Sequence, residues 1–178
     1  MKPARIPAMG AAVLLGISSA AALDAGTFVV PVAGIKASEL IDSWDKSRAE
    51  GRMHRAIDIP APVGTPVLAA MDGRIEKLFA SKRGGLTIYQ RAADGRLILY
   101  YAHLQGYRRG LVEGQAVAKG QVIATVGASG NADPAFPHLH FQILETVPGS
   151  GWQDGEPINP YPLLTGRRAL PPATQPAG

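Results

Sequence analysis

The sequence predicts an all-β protein, a small antiparallel β-sheet or sandwich domain, and three observations support this fold class. The 178 residues include 21 glycines and 15 prolines, and only 18% are charged. This composition suits a turn-rich domain better than a coiled coil or a charged disordered chain. Turn dipeptides such as Asp72-Gly73 and Asp94-Gly95 recur at short intervals. The apolar runs between the turns are too short for ordinary helices.

Six of the apolar runs are predicted strands. They cover residues 66–70, 74–79, 86–90, 96–104, 121–126 and 138–144. Asp94-Gly95 predicts a hairpin between the strands on either side of it. The helix candidate is short: Ser38 can serve as an N-cap, and Leu40, Ile41 and Trp44 follow it at helical spacing.

Residues 1–22 are predicted to form a secretory signal peptide. Lys2 and Arg5 precede an apolar run over residues 8–17, and small residues follow at 20–22. Because the run is shorter than the ~20 residues that a membrane span needs, cleavage fits better than a retained membrane anchor. We therefore expect an exported protein of a bacterial periplasm or cell envelope, with no stable membrane span after cleavage.

The rest of the chain divides into three expected parts. Residues 23–51 are expected to form an N-terminal extension that packs on the main domain, and residues 52–164 to form that domain. Residues 165–178 are expected to be a disordered tail, because they are poor in large apolar side chains.

Charge and cysteine content exclude several classes of function. The net charge is +4 at pH 7, and two of the cations, Lys2 and Arg5, lie in the predicted signal peptide. Such a small excess gives no support to nucleic-acid binding. The sequence has no cysteine, which excludes disulfides, thiolate metal sites and a cysteine nucleophile. A metal site would have to use nitrogen and oxygen donors.

The four histidines are the most informative residues, and two of them share one predicted strand. In the segment that begins at His138, apolar side chains alternate strictly with His138, His140 and Gln142. A strand would therefore turn both imidazoles away from the core, with Cα atoms about 6.6 Å apart on one face. A hydrogen-bonded pair of core histidines, the alternative, conflicts with this alternation.

His54 and Asp58 supply one nitrogen and one oxygen donor four residues apart. Four extended residues span about 13 Å, too far for both donors to lie ~2 Å from one ion, so we expect the chain to bend near Arg55-Ala56. Taken alone, this pair fits a surface hydrogen bond better than a metal site.

His103 follows a strongly apolar strand candidate. Considered by itself, it fits a strand-end histidine that donates to a backbone carbonyl better than a catalytic residue.

Together the segments HRAID, YAHL and HLHF, in this order, resemble the lysostaphin-like, LytM-type zinc metallopeptidases, which cut peptide cross-links of bacterial peptidoglycan. The resemblance extends over residues 52–144, through HRAIDIPAPVGTPVLAAMDGRI, YYAHL, VEGQAVAKGQVIATVGASG and PHLHF. Two departures are mild: Ala56 stands where many members have glycine, and Gln142 where many have glutamate.

The resemblance implies one zinc ion per chain, held by His54, Asp58 and His140. His138 and His103 would then flank a reactive water as catalytic residues, with His138 the preferred general base. It also implies a single zinc metallopeptidase domain over residues 52–164 that cleaves peptidoglycan stem peptides in a groove above the metal. The loops at 81–85, 106–110 and 129–137 are the expected walls of that groove. The resemblance leaves protein partners open.

Two other classes compete with this interpretation. The first is a non-catalytic wall-binding or amidase-activating module on the same fold, which the complete set of ligand and catalytic positions makes the weaker interpretation. The second is a lipoyl-type or biotinyl-type carrier, suggested by the segment VEGQAVAKGQVIA. Lys119 lacks the Met-Lys-Met setting of such carriers, so this class ranks far lower.

Overall fold

The structure, a computed structural model, describes residues 28–47, 51 and 53–169. The predicted signal peptide therefore lies outside the described residues, as does the tail beyond residue 169. The described elements are a 3-10 turn Ala37–Glu39, the strands β1 Ile57–Pro60, β2 Pro66–Leu68, β3 Gly73–Ser81, β4 Gly85–Ala92, β5 Leu97–Tyr107, β6 Ala116–Val117, β7 Val122–Val126, β8 His138–Glu145 and β9 Glu156–Ile158, and the helix α1 Pro160–Leu164.

All pairings between these strands are antiparallel. The main path through the sheet runs β1-β8-β5-β4-β3-β6, while β7 joins β2 to β5 and β9 pairs with β8. The predicted all-β antiparallel class is confirmed. Strands β1, β8 and β5 lie side by side, so residues distant in sequence meet on one face.

The six predicted strands match six of the nine observed ones, with three additions, β1, β6 and β9, and one correction. β6 and β9 are too short to show a clear alternation of apolar and polar residues in the sequence. β5 continues to Tyr107, so His103 lies within a strand and not at its end. The predicted helix after Ser38 is wrong: the only helical element described there is the 3-10 turn Ala37–Glu39, and Leu40 is already extended at φ −69° and ψ 142°. A helix of this length is marginal unless tertiary packing supports it, and here the segment makes other contacts.

The expected alternation is found along β8. Leu139, Phe141 and Ile143 are fully buried, and the side chains between them lie on the opposite face. Tyr101 of β5 packs its ring against Phe141, with ring centroids 5.2 Å apart. The core therefore lies behind the β1-β8-β5 region and holds it rigid, while the other face is free for polar chemistry.

The described part of the N-terminal segment lies against the sheet. Val32 pairs with Val67 of β2 through an isolated bridge and is 1% exposed. Leu40 is also buried in the core. These contacts place residues 41–47 beside the start of β1. Within the described residues, no helix is long and apolar enough to cross a membrane.

Candidate metal centre and cavity

The strand register brings the predicted donors together. In the β1 to β8 ladder, Asp58 lies opposite His140 and Pro60 lies opposite His138. On the other side of β8, His140 lies opposite Ala102 of β5. The small side chain of Ala102 leaves space above the sheet, so His140 stands at the centre of the site face.

Three donor atoms converge there. His54 Nε2 lies 3.1 Å from Asp58 Oδ1 and 3.2 Å from His140 Nδ1, and His140 Nδ1 lies 3.0 Å from Asp58 Oδ1. Three ligands on one tetrahedral zinc ion, each at a bond length of about 2.0–2.2 Å, lie about 3.3 Å apart. Two nitrogens and one oxygen at this spacing suit zinc, and the arrangement is the one that could hold a metal ion.

The protonation state of His54 strengthens this fit. Its Nδ1 lies 2.8 Å from the backbone oxygen of Ser43, which can only accept a hydrogen bond. Nδ1 therefore carries the proton, and in the neutral ring Nε2 presents a lone pair to the Asp58 carboxylate. Two electron-rich atoms at 3.1 Å repel each other unless a cation lies between them, so this tautomer of His54 suits metal binding.

Ser43 is a residue that the sequence reasoning missed. Besides accepting from His54, it accepts a hydrogen bond at its Oγ from the backbone nitrogen of Asp58, at 3.0 Å. It thus orients one imidazole and the backbone of the carboxylate residue together. The expected bend is present at Ala56, where the chain turns before β1. A serine eleven residues before a histidine gives no sequence signal, so only the structure could identify it.

His103 lies at a bulge in β5. Leu104 pairs with Leu86 and Tyr101 with Ile88, so two residues of β5 oppose one residue of β4. His103 adopts φ 61°, a left-handed conformation that histidine tolerates better than most residues. Its backbone nitrogen donates to Gly84 O at 2.8 Å, and its Nδ1 donates to Ser129 O at 2.9 Å. The bulge turns the ring toward the site, with its centroid 5.7 Å from that of His140.

His138 stands next to the donor cluster on β8. Its Nδ1 donates to the backbone oxygen of Phe136 at 2.8 Å, and its Nε2 lies 3.7 Å from Asp58 Oδ1. The rings of His138 and His103 approach edge to face at 5.1 Å. In both residues Nδ1 is committed to a backbone carbonyl, so Nε2 is the atom left for chemistry.

Burial and mutual contact shift the pKa values at the site. Burial alone would raise the pKa of Asp58, but its contacts with His140 and His54 outweigh this effect and hold that pKa well below its usual range. Burial lowers the pKa of His140, although Asp58 acts in the opposite direction. Burial also lowers the pKa of His103 to about 4, and His140 and His138 act in the same direction. The carboxylate is therefore ionised, and His103 is neutral at pH 7.

A cavity of about 710 Å³ opens above these residues, and all five predicted site residues line it. Gly84 and Phe136 lie on two of the three expected wall loops. No residue of the third, 106–110, is among the described lining residues. β5 instead turns there toward β7, where Arg108 N donates to Ile123 O. Met53 and Arg55, which precede β1, line the cavity as well.

Two imidazoles and a carboxylate at one face of a β-sheet, open to a cavity that is lined by two more imidazoles, define a metallohydrolase-type centre. The sequence model of Peptidase family M23 matches residues 52–160. This match covers more than half of the chain, and the chain belongs to peptidase family M23. The family resemblance stated from the motifs is confirmed.

Two curated relatives illustrate the similarity. The L-Ala–D-Glu endopeptidase of Bacillus subtilis (strain 168) is 34% identical over 129 residues, which are 68% of this chain and 38% of that protein. The peptidoglycan DD-endopeptidase ShyC of Vibrio cholerae is 41% identical over 93 residues, 52% of this chain and 20% of that protein. The chain thus spans less than half the length of these relatives.

A solved structure shows the same architecture. The catalytic domain of the antimicrobial peptidase lysostaphin from Staphylococcus simulans superposes with a TM-score of 0.61 at 28% sequence identity. The superposition covers 72% of this chain and 94% of that domain. The similarity therefore extends over nearly the whole of the lysostaphin domain.

Proposed function

We propose that this chain is an exported zinc-dependent endopeptidase that hydrolyses peptide cross-links of bacterial peptidoglycan. The observation that supports it most is the convergence of three metal donors with two further imidazoles in one open cavity. The names of the relatives agree with this substrate, since they include a peptidoglycan endopeptidase. Residues 52–164 would form the catalytic domain, and export would depend on the predicted signal peptide at residues 1–22.

His54, Asp58 and His140 are the proposed zinc ligands. Three protein ligands leave one position for water or substrate, which is the arrangement of catalytic zinc sites. Zinc, when bound, polarises a peptide carbonyl and lowers the pKa of a bound water toward ~7. Ser43 fixes the orientation of His54, and such supporting contacts raise ligand basicity and metal affinity.

His138 is the proposed general base. Its Nδ1 proton is held by Phe136 O, so Nε2 of the neutral ring is free to take a proton from the attacking water. Nε2 lies 3.7 Å from Asp58 Oδ1, and that carboxylate stabilises the imidazolium that forms. The same Nε2 can then deliver its proton to the leaving amine.

His103 is proposed to stabilise the oxyanion or to protonate the leaving amine. Because Ser129 O holds its Nδ1 proton, neutral His103 presents an acceptor at Nε2. It can donate to substrate only after it has taken up a proton. Nε2 of His103 would therefore take up a proton before donating it, and its ring lies close enough to His138 for both residues to act on one substrate.

Digestion of purified peptidoglycan sacculi tests the proposal. Zinc-loaded protein should reduce the fraction of cross-linked muropeptides, measured by liquid chromatography and mass spectrometry. A chelator should stop the reaction, and added zinc should restore it.

The same assay separates the catalytic proposal from the activating module. A zinc-replete protein that leaves all cross-links intact, yet stimulates a wall amidase added to the reaction, would overturn the endopeptidase proposal in favour of that alternative.

A further inference from the structure

Arg83 is a cation at the edge of the cavity that the proposed mechanism does not use. It lies in the hairpin between β3 and β4 and lines the same cavity as the five site residues. The backbone oxygen of the next residue, Gly84, accepts from His103 N at 2.8 Å. The hairpin that carries Arg83 is therefore joined directly to a proposed catalytic residue.

The backbone of this hairpin is held firmly. Arg83 O accepts from Asn131 N at 3.0 Å, and Gly84 N donates to Ser81 Oγ at 2.9 Å. A Cβ added to Gly130 would lie 2.4 Å from Arg83 O, so the loop that carries Gly130 packs directly against the β3-β4 hairpin. The base of the Arg83 side chain thus has a fixed position at the cavity wall.

The charge of Arg83 acts on Tyr100 but forms no ion pair with a described acidic side chain. Besides the histidines, four side chains that can carry a full charge at neutral pH line the cavity: Arg55, Asp58, Arg83 and Asp133. Arg55 pairs with Asp45 at 2.5 Å, and Asp58 belongs to the donor cluster. Asp133 accepts a hydrogen bond from the backbone of Ala135.

Among the described residues, the Arg83 guanidinium has neither an ion pair nor a hydrogen-bond acceptor, and the residue is exposed. Its five N–H donors are therefore available to whatever occupies the cavity.

The hydroxyl of Tyr100 lies beside it and is hydrogen-bonded to Tyr89, and its single proton can rotate toward a ligand instead. A Cβ added to Gly84 would lie 2.3 Å from the Tyr100 hydroxyl, so that hydroxyl rests directly against the hairpin. The Tyr100 ring meets His140 edge on, at 6.1 Å between centroids. Burial raises the pKa of Tyr100, with a further contribution from Tyr89, so the phenol keeps its proton in the working pH range.

A guanidinium and a protonated phenol that both line the cavity match a ligand group that only accepts hydrogen bonds. We propose that Arg83 and Tyr100 form a carboxylate-binding subsite that selects peptides carrying a free carboxylate next to the cleaved bond. This inference rests on the proposed endopeptidase function and names a feature of its substrate. The planar fork of arginine suits a carboxylate in two-point contact. Asp133, on the same cavity, disfavours an anion of higher charge such as a phosphate.

Two matched pairs of synthetic cross-linked stem peptides test the subsite. Within each pair, one carboxylate is free in one peptide and a carboxamide in the other. The carboxylate precedes the cross-link in the first pair and follows it in the second, so the two positions are distinguished. We expect the zinc-loaded protein to prefer the free carboxylate in one pair by about 10-fold to 100-fold in kcat/KM, the usual range for a charge-assisted contact.

Variants assign that preference to the subsite. Arg83→Gln should reduce the preference to near unity, and Tyr100→Phe should reduce it several-fold. Lys82→Gln removes the same charge one residue away, outside the cavity lining, and should keep the full preference. Zinc content and thermal melting of each variant confirm that its fold is intact.

Each outcome is decisive. Equal rates within both pairs, or a preference that Arg83→Gln retains, would overturn the subsite. Failure of the unaltered protein to cleave any of the four peptides and sacculi would instead overturn the endopeptidase function on which the subsite rests.

Discussion

Strand β8 and the segment before β1 bring histidines to the same cavity by different means. On β8, pleating alone puts His138 and His140 on the face opposite the core, and the Nδ1 of His138 is held by a carbonyl only two residues away. His54 precedes β1 and follows no strand alternation. Its ring is held by Ser43, eleven residues earlier in the chain.

His103 belongs with His54 in this comparison, although it lies within a strand. The bulge in β5 and φ 61° take its side chain out of the alternation. Its ring is oriented by Ser129, twenty-six residues later. The comparison shows that local backbone geometry places half of the histidines, whereas contacts between distant segments place the other half. Changes far from the cavity should therefore disturb His54 and His103 more than the pair on β8.

The largest effect on zinc binding is expected at His140, the metal donor that lies on strand β8. His140→Ala removes one of three converging atoms, so zinc binding should weaken by more than about 100-fold, beyond what loss of a supporting contact costs. Gln142→Ala, on the same face of β8, should keep one zinc per chain. Elemental analysis after dialysis measures both. A His140→Ala protein that retains zinc would show that the site does not depend on β8.

The second effect concerns catalysis without loss of metal. His103→Asn keeps a residue that tolerates the left-handed conformation at this bulge, so the fold should persist with one zinc per chain. Cleavage of cross-linked muropeptides should fall by about 10²-fold to 10⁴-fold, the usual contribution of an acid–base group. Normal cleavage by this variant would refute a catalytic role for His103.

The smallest effect is expected at Ser43, which supports His54 and Asp58 from a distant segment. Ser43→Ala keeps the backbone oxygen that holds His54 and removes only the hydroxyl that accepts from Asp58 N. Zinc affinity should fall by up to about tenfold. The free energy of unfolding should fall by about 1 kcal/mol.

Competition with a chromogenic chelator and denaturant titration measure the two quantities. Ser38→Ala, at an exposed position, is the matched control. Equal zinc affinity in both variants would show that β1 holds Asp58 without help from the N-terminal segment.

Sequence reasoning predicted the parts of the structure that depend on short-range patterns. The strict alternation of the residues after His138 predicted which side chains are buried, and Asp94-Gly95 predicted the hairpin between β4 and β5. The prediction of a helix after Ser38 was wrong, because contacts with the start of β1 and the sheet hold that segment in another conformation. Helix propensity over so few residues is weaker than such packing.

The sequence by itself determined the fold class, the family and the chemical identity of the donors, since strand periodicity and a short set of motifs are local properties. Only the tertiary structure decided how the donors meet. It supplied Ser43 as the support of His54, the bulge that turns His103 inward, and the placement of Arg83 beside Tyr100. These features come from segments far apart in the chain, and the pairing of β1, β8, β5 and β4, together with the loops packed on that sheet, brings them to one site.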